Sequence, residues 1–338
     1  MSKVAGAMAG VASGDGAGTV GVTAGAAGAS AAGPSAAGPS AGNKFGRVSE
    51  LRLVACERGG RTVLTEAAAT MPFKVMHPFE VPAASLCGAA GVPGLAQKAA
   101  EVMVMSASAG IMAGDAQSID VRVGVGAALR VTNQAFEKIH RMEAGKSASR
   151  STRLAVAEGA YLDYAPQPMI PFADSEYAAD CVAELEGPGA RLVFEEVLSC
   201  GRVARGERFG YRSFKNRVRV NVAGRPVYLD NVVYDPTTMP MEGMGLYEGF
   251  SHLGNLVLVN CGVGEGAFTR ARDYLRDETG VIGAAAGSPV GAAEGSEAIS
   301  GGITRLSSGD VCVRLLGHRA QRVSDVLSRV RALLANAG

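Results

Sequence analysis

The sequence predicts a mainly β protein, either a sandwich or a β-helix-like stack of short strands, with two α-helices near the C-terminus. Three observations predict it. About a dozen short segments alternate apolar and polar residues, the signature of strands with one buried face. Glycine and proline clusters punctuate them at the corners. Only two stretches carry helical spacing, and both come late and apart. That excludes a doubly wound α/β sheet, which needs a crossover helix between successive parallel strands.

Residues 1–43 are almost wholly Ala, Gly, Ser and Pro. Such side chains bury too little surface to offset their ordering entropy, so this segment is expected to be a disordered tail. A mis-assigned start codon is the alternative. Residues 44–338 are expected to form a single domain. Residues 48–57 and 61–66 should pair across Gly59-Gly60, a dipeptide suited to a primed hairpin turn. Pro72 and Pro78 forbid a helix between them and imply an extended crossing. Residues 83–99 are Ala- and Gly-rich and read as a low-complexity insertion.

The stretch from Ser106 to Met142 is the centre of the chain. Gly110 and Gly114 bracket a tight passage, because only glycine takes positive φ at little cost, and Asp115 stands at its exit. Ile119, Val121, Val123 and Val125 then alternate with Asp120, Arg122 and Gly124. Residues 137–151, with charges and small side chains, read as an exposed connection. Strands follow at 152–156 and 160–164, a rigid turn at Pro166, Pro168 and Pro171, and further strands at 180–186, 191–200, 215–222 and 225–234. The Met- and Gly-rich residues 235–252 suggest an adaptable contact surface. Next come a strand at 255–261, a helix at 266–279 and a second low-complexity insertion at 282–302. A hairpin at 303–306 and 311–316 precedes the final helix, whose Val323, Val326, Leu327, Val330, Leu333 and Leu334 recur at three-four spacing.

Hydrophobic residues make up 47%, ample for a core. The net charge is +1 and no basic block occurs, so nothing points to nucleic acid. No apolar run is long enough to span a membrane and no Leu-rich signal core is present, which makes the cytosol the expected compartment. The six cysteines form no Cys-x-x-Cys pair and are expected to be buried free thiols. Neither a Walker loop, Gly-x-Ser-x-Gly nor His-Glu-x-x-His occurs, and no two of the four histidines share a metal-ligand spacing. None of these enzyme signatures is present; a β-helix carbohydrate-active enzyme is the enzymatic rival to a non-catalytic reading. Carboxylates say more. Glu195 and Glu196 occupy opposite faces of a strand whose two faces are both apolar. At least one must enter apolar surroundings, where it needs water, a partner or a cation. An ion pair with Arg202 or Arg205 is one explanation.

The segment Ala109-Gly110-Ile111-Met112-Ala113-Gly114-Asp115, followed by Thr132-Asn133-Gln134-Ala135-Phe136-Glu137-Lys138-Ile139, resembles the UreD/UreH family of urease accessory proteins. Three later segments agree in order: residues 161–172 (YLDYAPQPMIPF), 201–207 (GRVARGE) and 256–261 (LVLVNC). The resemblance runs from about residue 51 to the C-terminal helix. It implies the β-helix-like stack rather than the sandwich. It also implies a urease maturation factor, a nickel-insertion chaperone that docks on apo-urease and binds a UreF-type protein, which recruits a UreG-type GTPase. Nickel would be in transit through an internal passage, and no cofactor would be bound permanently. The family's acidic passage positions match Asp115 and Glu196. Gly110, Gly114, Gln134, Lys138, Pro166, Arg202 and Glu207 fall on other motif positions, with structural or partner roles implied for Gln134, Arg202 and Glu207.

Overall fold

The computed structural model describes residues 48–279 and 297–335. The 1–43 tail and residues 282–296 of the second insertion lie outside the described residues. The described residues begin with a hairpin, β1 (Ser49–Arg58) and β2 (Arg61–Ala69). Gly59 and Gly60 both have positive φ, as a type I′ turn demands. Two short strands, β3 (Phe73–Val75) and β4 (Phe79–Pro82), then pair antiparallel with β5 (Lys98–Ser106).

From β5 onward the chain winds in coils. Its strands are β6 (Ala116–Val123), β7 (Ala128–Gln134), β8 (Glu137–Ile139), β9 (Ala148–Val156), β10 (Tyr161–Tyr164), β11 (Met169–Pro171), β12 (Glu176–Leu185), β13 (Arg191–Ser199) and β14 (Ser213–Val222). Successive coils stack in parallel. One wall is β1-β6-β9-β12-β14 and the opposite wall is β5-β7-β10-β13. A third, short wall pairs β8 with β11. This is the β-helix-like stack that the resemblance implies.

Parallel stacking aligns like with like. On the first wall Leu53, Val121, Leu154, Ala183 and Val220 form one in-register row. Val102, Val131, Tyr164 and Phe194 form a row on the second. Both rows belong to a single buried cluster, the dry half of the interior. Each rung adds about 4.8 Å along the stack.

The stack ends by reversing direction. β15 (Arg225–Tyr234) folds back antiparallel on β14, through a two-residue turn in which Ala223 and Gly224 both take positive φ. On the other wall β16 (His252–Val259) runs antiparallel to β13, followed by β18 (Val311–Gly317) and β17 (Ile299–Arg305). Two helices, α1 (Glu265–Thr279) and α2 (Ala320–Ala335), cover the outside of this second wall. Val323, Val326, Leu327 and Val330 of α2 pack in one cluster with Val193, Val197, Leu256 and Val313. That covering explains why β13 is apolar on both faces. No helix among the described residues is long and apolar enough to cross a membrane.

Eighteen strands are present among the described residues, against about a dozen expected. Three-residue strands such as β3, β8 and β11 are too short to show a period. Residues 83–99 are packed rather than loose: Leu86, Cys87, Ala89 and Ala96 are buried, and the Tyr161 hydroxyl donates to the Cys87 carbonyl at 2.8 Å. The Met-rich segment is mixed, with Met241 and Tyr247 buried and Met244 exposed. All six cysteines are free, and five are buried. The expected exposed connection at 137–151 is corrected outright. It supplies β8 and the start of β9, and Ile139, Met142 and Ala148 are buried.

Candidate functional site

Past the dry row on the first wall, with the row of Leu51, Ile119, Thr152, Cys181 and Val218 between them, lies another inward row that carries polar side chains. Gln117, Arg150, Ala179 and Asn216 stand in register, with Val232 after them on β15. Beyond it a row of Tyr177, Phe214 and Tyr234 closes the corner with aromatic rings. Two cavities run along the polar row. The larger, about 310 Å³, is lined by Ser106, Ser108, Gly110, Gln117, Asn133, Gln134 and Lys138 among others. A smaller one, about 80 Å³, is lined by Thr152, Tyr177, Glu196, Asn216, Asp230 and Asn255 among others. Glu137, Arg150, Tyr164 and Pro166 line both.

Strand alternation separates the two adjacent glutamates. Glu195 points out toward α2, where Arg331 Nη1 donates to it at 2.7 Å. Arg331 also binds Asp163, whose side chain has no exposure. Glu196 points in, on the same face as Leu192 and Phe194. Among the described residues no arginine lies within hydrogen-bond distance of it: Asn216 Nδ2 donates to its two oxygens at 3.0 and 3.2 Å. Arg202 is engaged elsewhere, with Glu207. Amide donors cannot neutralise a carboxylate. Burial pushes the Glu196 carboxyl up to about 7, Asp230 adds a like charge, and the hydrogen bonds of Asn216 and Asn255 only partly offset them.

This shift carries a stability consequence whose sign is fixed. The folded state holds the Glu196 proton more tightly than the unfolded chain, whose ordinary value is 4.5. Glu196 therefore contributes stability below pH 4.5, and that contribution is lost as pH rises to about 7. Glu196→Gln removes the titration. The urea midpoint of the variant minus that of the wild type should rise across this window and then level off. A difference that stays flat with pH would sink the assignment.

The second buried acid is Glu137, which forms an ion pair with Arg150; their side chains are 13% and 9% exposed. Arg150 also donates to Gln117 Oε1 through Nε at 3.0 Å and Nη2 at 2.6 Å. The Tyr177 hydroxyl, beside the smaller cavity, is buried without a hydrogen-bond partner. A stranded hydroxyl next to a cavity that also exposes the Glu196 carboxylate and the Asn216 amide is where ordered water belongs.

The other expected positions divide clearly. Gly110 and Gly114 both have positive φ, and a Cβ on Gly110 would collide with the Lys138 carbonyl. Gly110, Gln134, Lys138 and Pro166 line the larger cavity. Asp115 lines neither cavity: its Oδ2 accepts the Met112 amide at 2.7 Å and so closes its own turn. The structure thus does not bring Asp115 and Glu196 to one cavity. Arg202 lies over the Phe172 ring, its carbon 4.2 Å from the centroid, while Glu207 also accepts the Ala173 amide at 2.7 Å. Burial pushes Glu207 up, but Arg202 and that amide outweigh it and hold it below its ordinary value. These two residues form a structural corner. Among the described residues no group of three or more His, Cys, Asp or Glu is placed to hold a metal ion.

Sequence reasoning missed Gln117, Glu137, Arg150, Asn216 and Asn255. A signal existed for Arg150. The alternation Thr152, Leu154, Val156 continues back to it, placing a charged side chain on the inward face.

Fold and site together define a helix-backed β-solenoid whose polar residues gather inside the stack. The sequence model of the UreD urease accessory protein family matches residues 47–338. The chain is 31% identical to the urease accessory protein UreH of Helicobacter pylori strain J99, over 86% of this chain and 97% of that protein. It is 33% identical to the urease accessory protein UreD of Acetivibrio thermocellus, over 86% of this chain and 99% of that protein. The chain belongs to the UreD family of urease accessory proteins.

Proposed function

We propose that this chain is a cytosolic urease maturation factor that docks on apo-urease and passes nickel to its active site through the polar interior row. In this reading it catalyses no reaction. A UreF-type protein binds it and recruits a UreG-type GTPase that supplies the nickel, which is cargo and not a resident cofactor. The observation that carries the reading is Glu196: a carboxylate buried among neutral amides, beside a cavity, in a member of this family. A divalent ion arriving there displaces a proton and gains one or two oxygen ligands. Oxygen donors in small number hold nickel weakly enough to release it. Asp115, which lines neither cavity but follows Gly110 and Ile111 of the larger one in the chain, is kept in this reading as a second passage carboxylate.

The test is co-expression. The urease genes and the UreF- and UreG-type genes are expressed with and without this chain. Nickel per urease active site is measured, and the tagged chain is used for a pull-down. Urease should be recovered with the chain, and its nickel should depend on it. Full nickel loading without the chain would refute the proposal.

A further inference from the structure

Glu137 and Arg150 stand where the two interior cavities meet, and both side chains line both cavities. Resting on the passage reading above, we propose that this pair is the ion-selectivity element of the interior route. Arg150 bars cations from crossing until a divalent ion takes its place on Glu137.

The geometry supplies each part. A guanidinium is permanently charged, and at 9% exposure little water screens it. It therefore repels any cation moving along the polar row. Nη1 and Nη2 bind the two Glu137 oxygens, while Nε and Nη2 also reach Gln117. Gln117 stands one rung away on the same wall, so it can retain the guanidinium after Glu137 is released. The movement required is a short swing within the row, not expulsion from it. A divalent ion attracts the Glu137 carboxylate twice as strongly as a monovalent ion at equal distance. It can match the guanidinium it displaces; sodium and potassium cannot. Asn216, which donates to Glu196, stands two rungs from Arg150, about 10 Å along the stack, so Glu196 is placed to receive the ion next.

An ion pair that served only to hold the fold would respond alike to loss of either partner. A selectivity element responds with opposite signs. Glu137→Gln leaves Arg150 charged and unanswered, and should lower nickel per urease active site by about tenfold when nickel is limiting. Arg150→Gln removes the bar and leaves Glu137 able to take the ion, so loading should equal or exceed the wild type. The double variant, neutral at both positions, should recover most of the loading lost in Glu137→Gln. All are measured by co-expression with the urease genes, nickel chloride being the probe. A parallel pull-down and urea midpoint identify any variant that has failed to fold. Equal losses in the two single variants, or no change in either, would overturn the selectivity role while Glu196→Ala still lowers loading. Full loading by Glu196→Ala as well would instead remove the passage reading, and the selectivity element with it.

Discussion

Arg331→Ala should cost the chain about 3–5 kcal/mol of folding stability, a large share of the roughly 5–15 kcal/mol a typical domain possesses. Arg331 is the link between α2 and the second wall, bound to Asp163 and Glu195 at once. Asp163 has no exposure, and one of its oxygens already lacks a partner. The nearest other cation, Arg130, is 3.6 Å away at its closest nitrogen. Truncating Arg331 therefore leaves Glu195 without its partner and Asp163 with Arg130 alone, both beneath a helix. The urea midpoint is the measurement, and a shift worth under about 1 kcal/mol would show that water reaches the pair. Replacing all three groups by neutral residues of similar size should recover much of the loss, because the penalty lies in the uncompensated charge.

Glu196→Ala should leave the fold and the partner complex intact while the urease produced carries markedly less nickel. Its hydrogen-bond partner Asn216 is uncharged, so its removal strands no arginine. An ion pair with Arg202 or Arg205 would have made the same substitution destructive. Asp115→Ala is expected to lower nickel as well, with a smaller effect, since that carboxylate already accepts the Met112 amide. Nickel per active site must be read beside a pull-down of the same variant. Full loading by the double variant would exclude both residues from the route; loss of the complex would return them to a structural role.

Where one face of a strand was buried, the sequence was legible. The alternation at Ile119, Val121 and Val123 placed β6, and the spacing from Val323 to Leu334 placed α2. The pair Glu195 and Glu196 was legible because a carboxylate on an otherwise apolar strand face has few explanations, and the family resemblance singled out Glu196. Glu137 was not, since charges among small residues look like solvated surface, and Arg150 was read into the same surface although strand alternation reached it. Their burial depends on a coil closing over them. The polar row itself steps from 117 to 150 to 179 to 216, unequal intervals that no single repeat length would reveal. Register across coils, a tertiary property, made the row.

A parallel stack has no inherent length, since any coil can serve as the floor for another. Here the hairpin at Ala223-Gly224 sends β15 back along β14, and β16 does the same on the opposite wall. A reversed strand cannot seed another parallel rung of the same winding. The point of reversal is therefore a ruler. It sets how far the interior reaches from one end to the other, in steps of about 4.8 Å. Inserting or deleting one coil before that hairpin would change the reach by one such step while leaving every other rung in register.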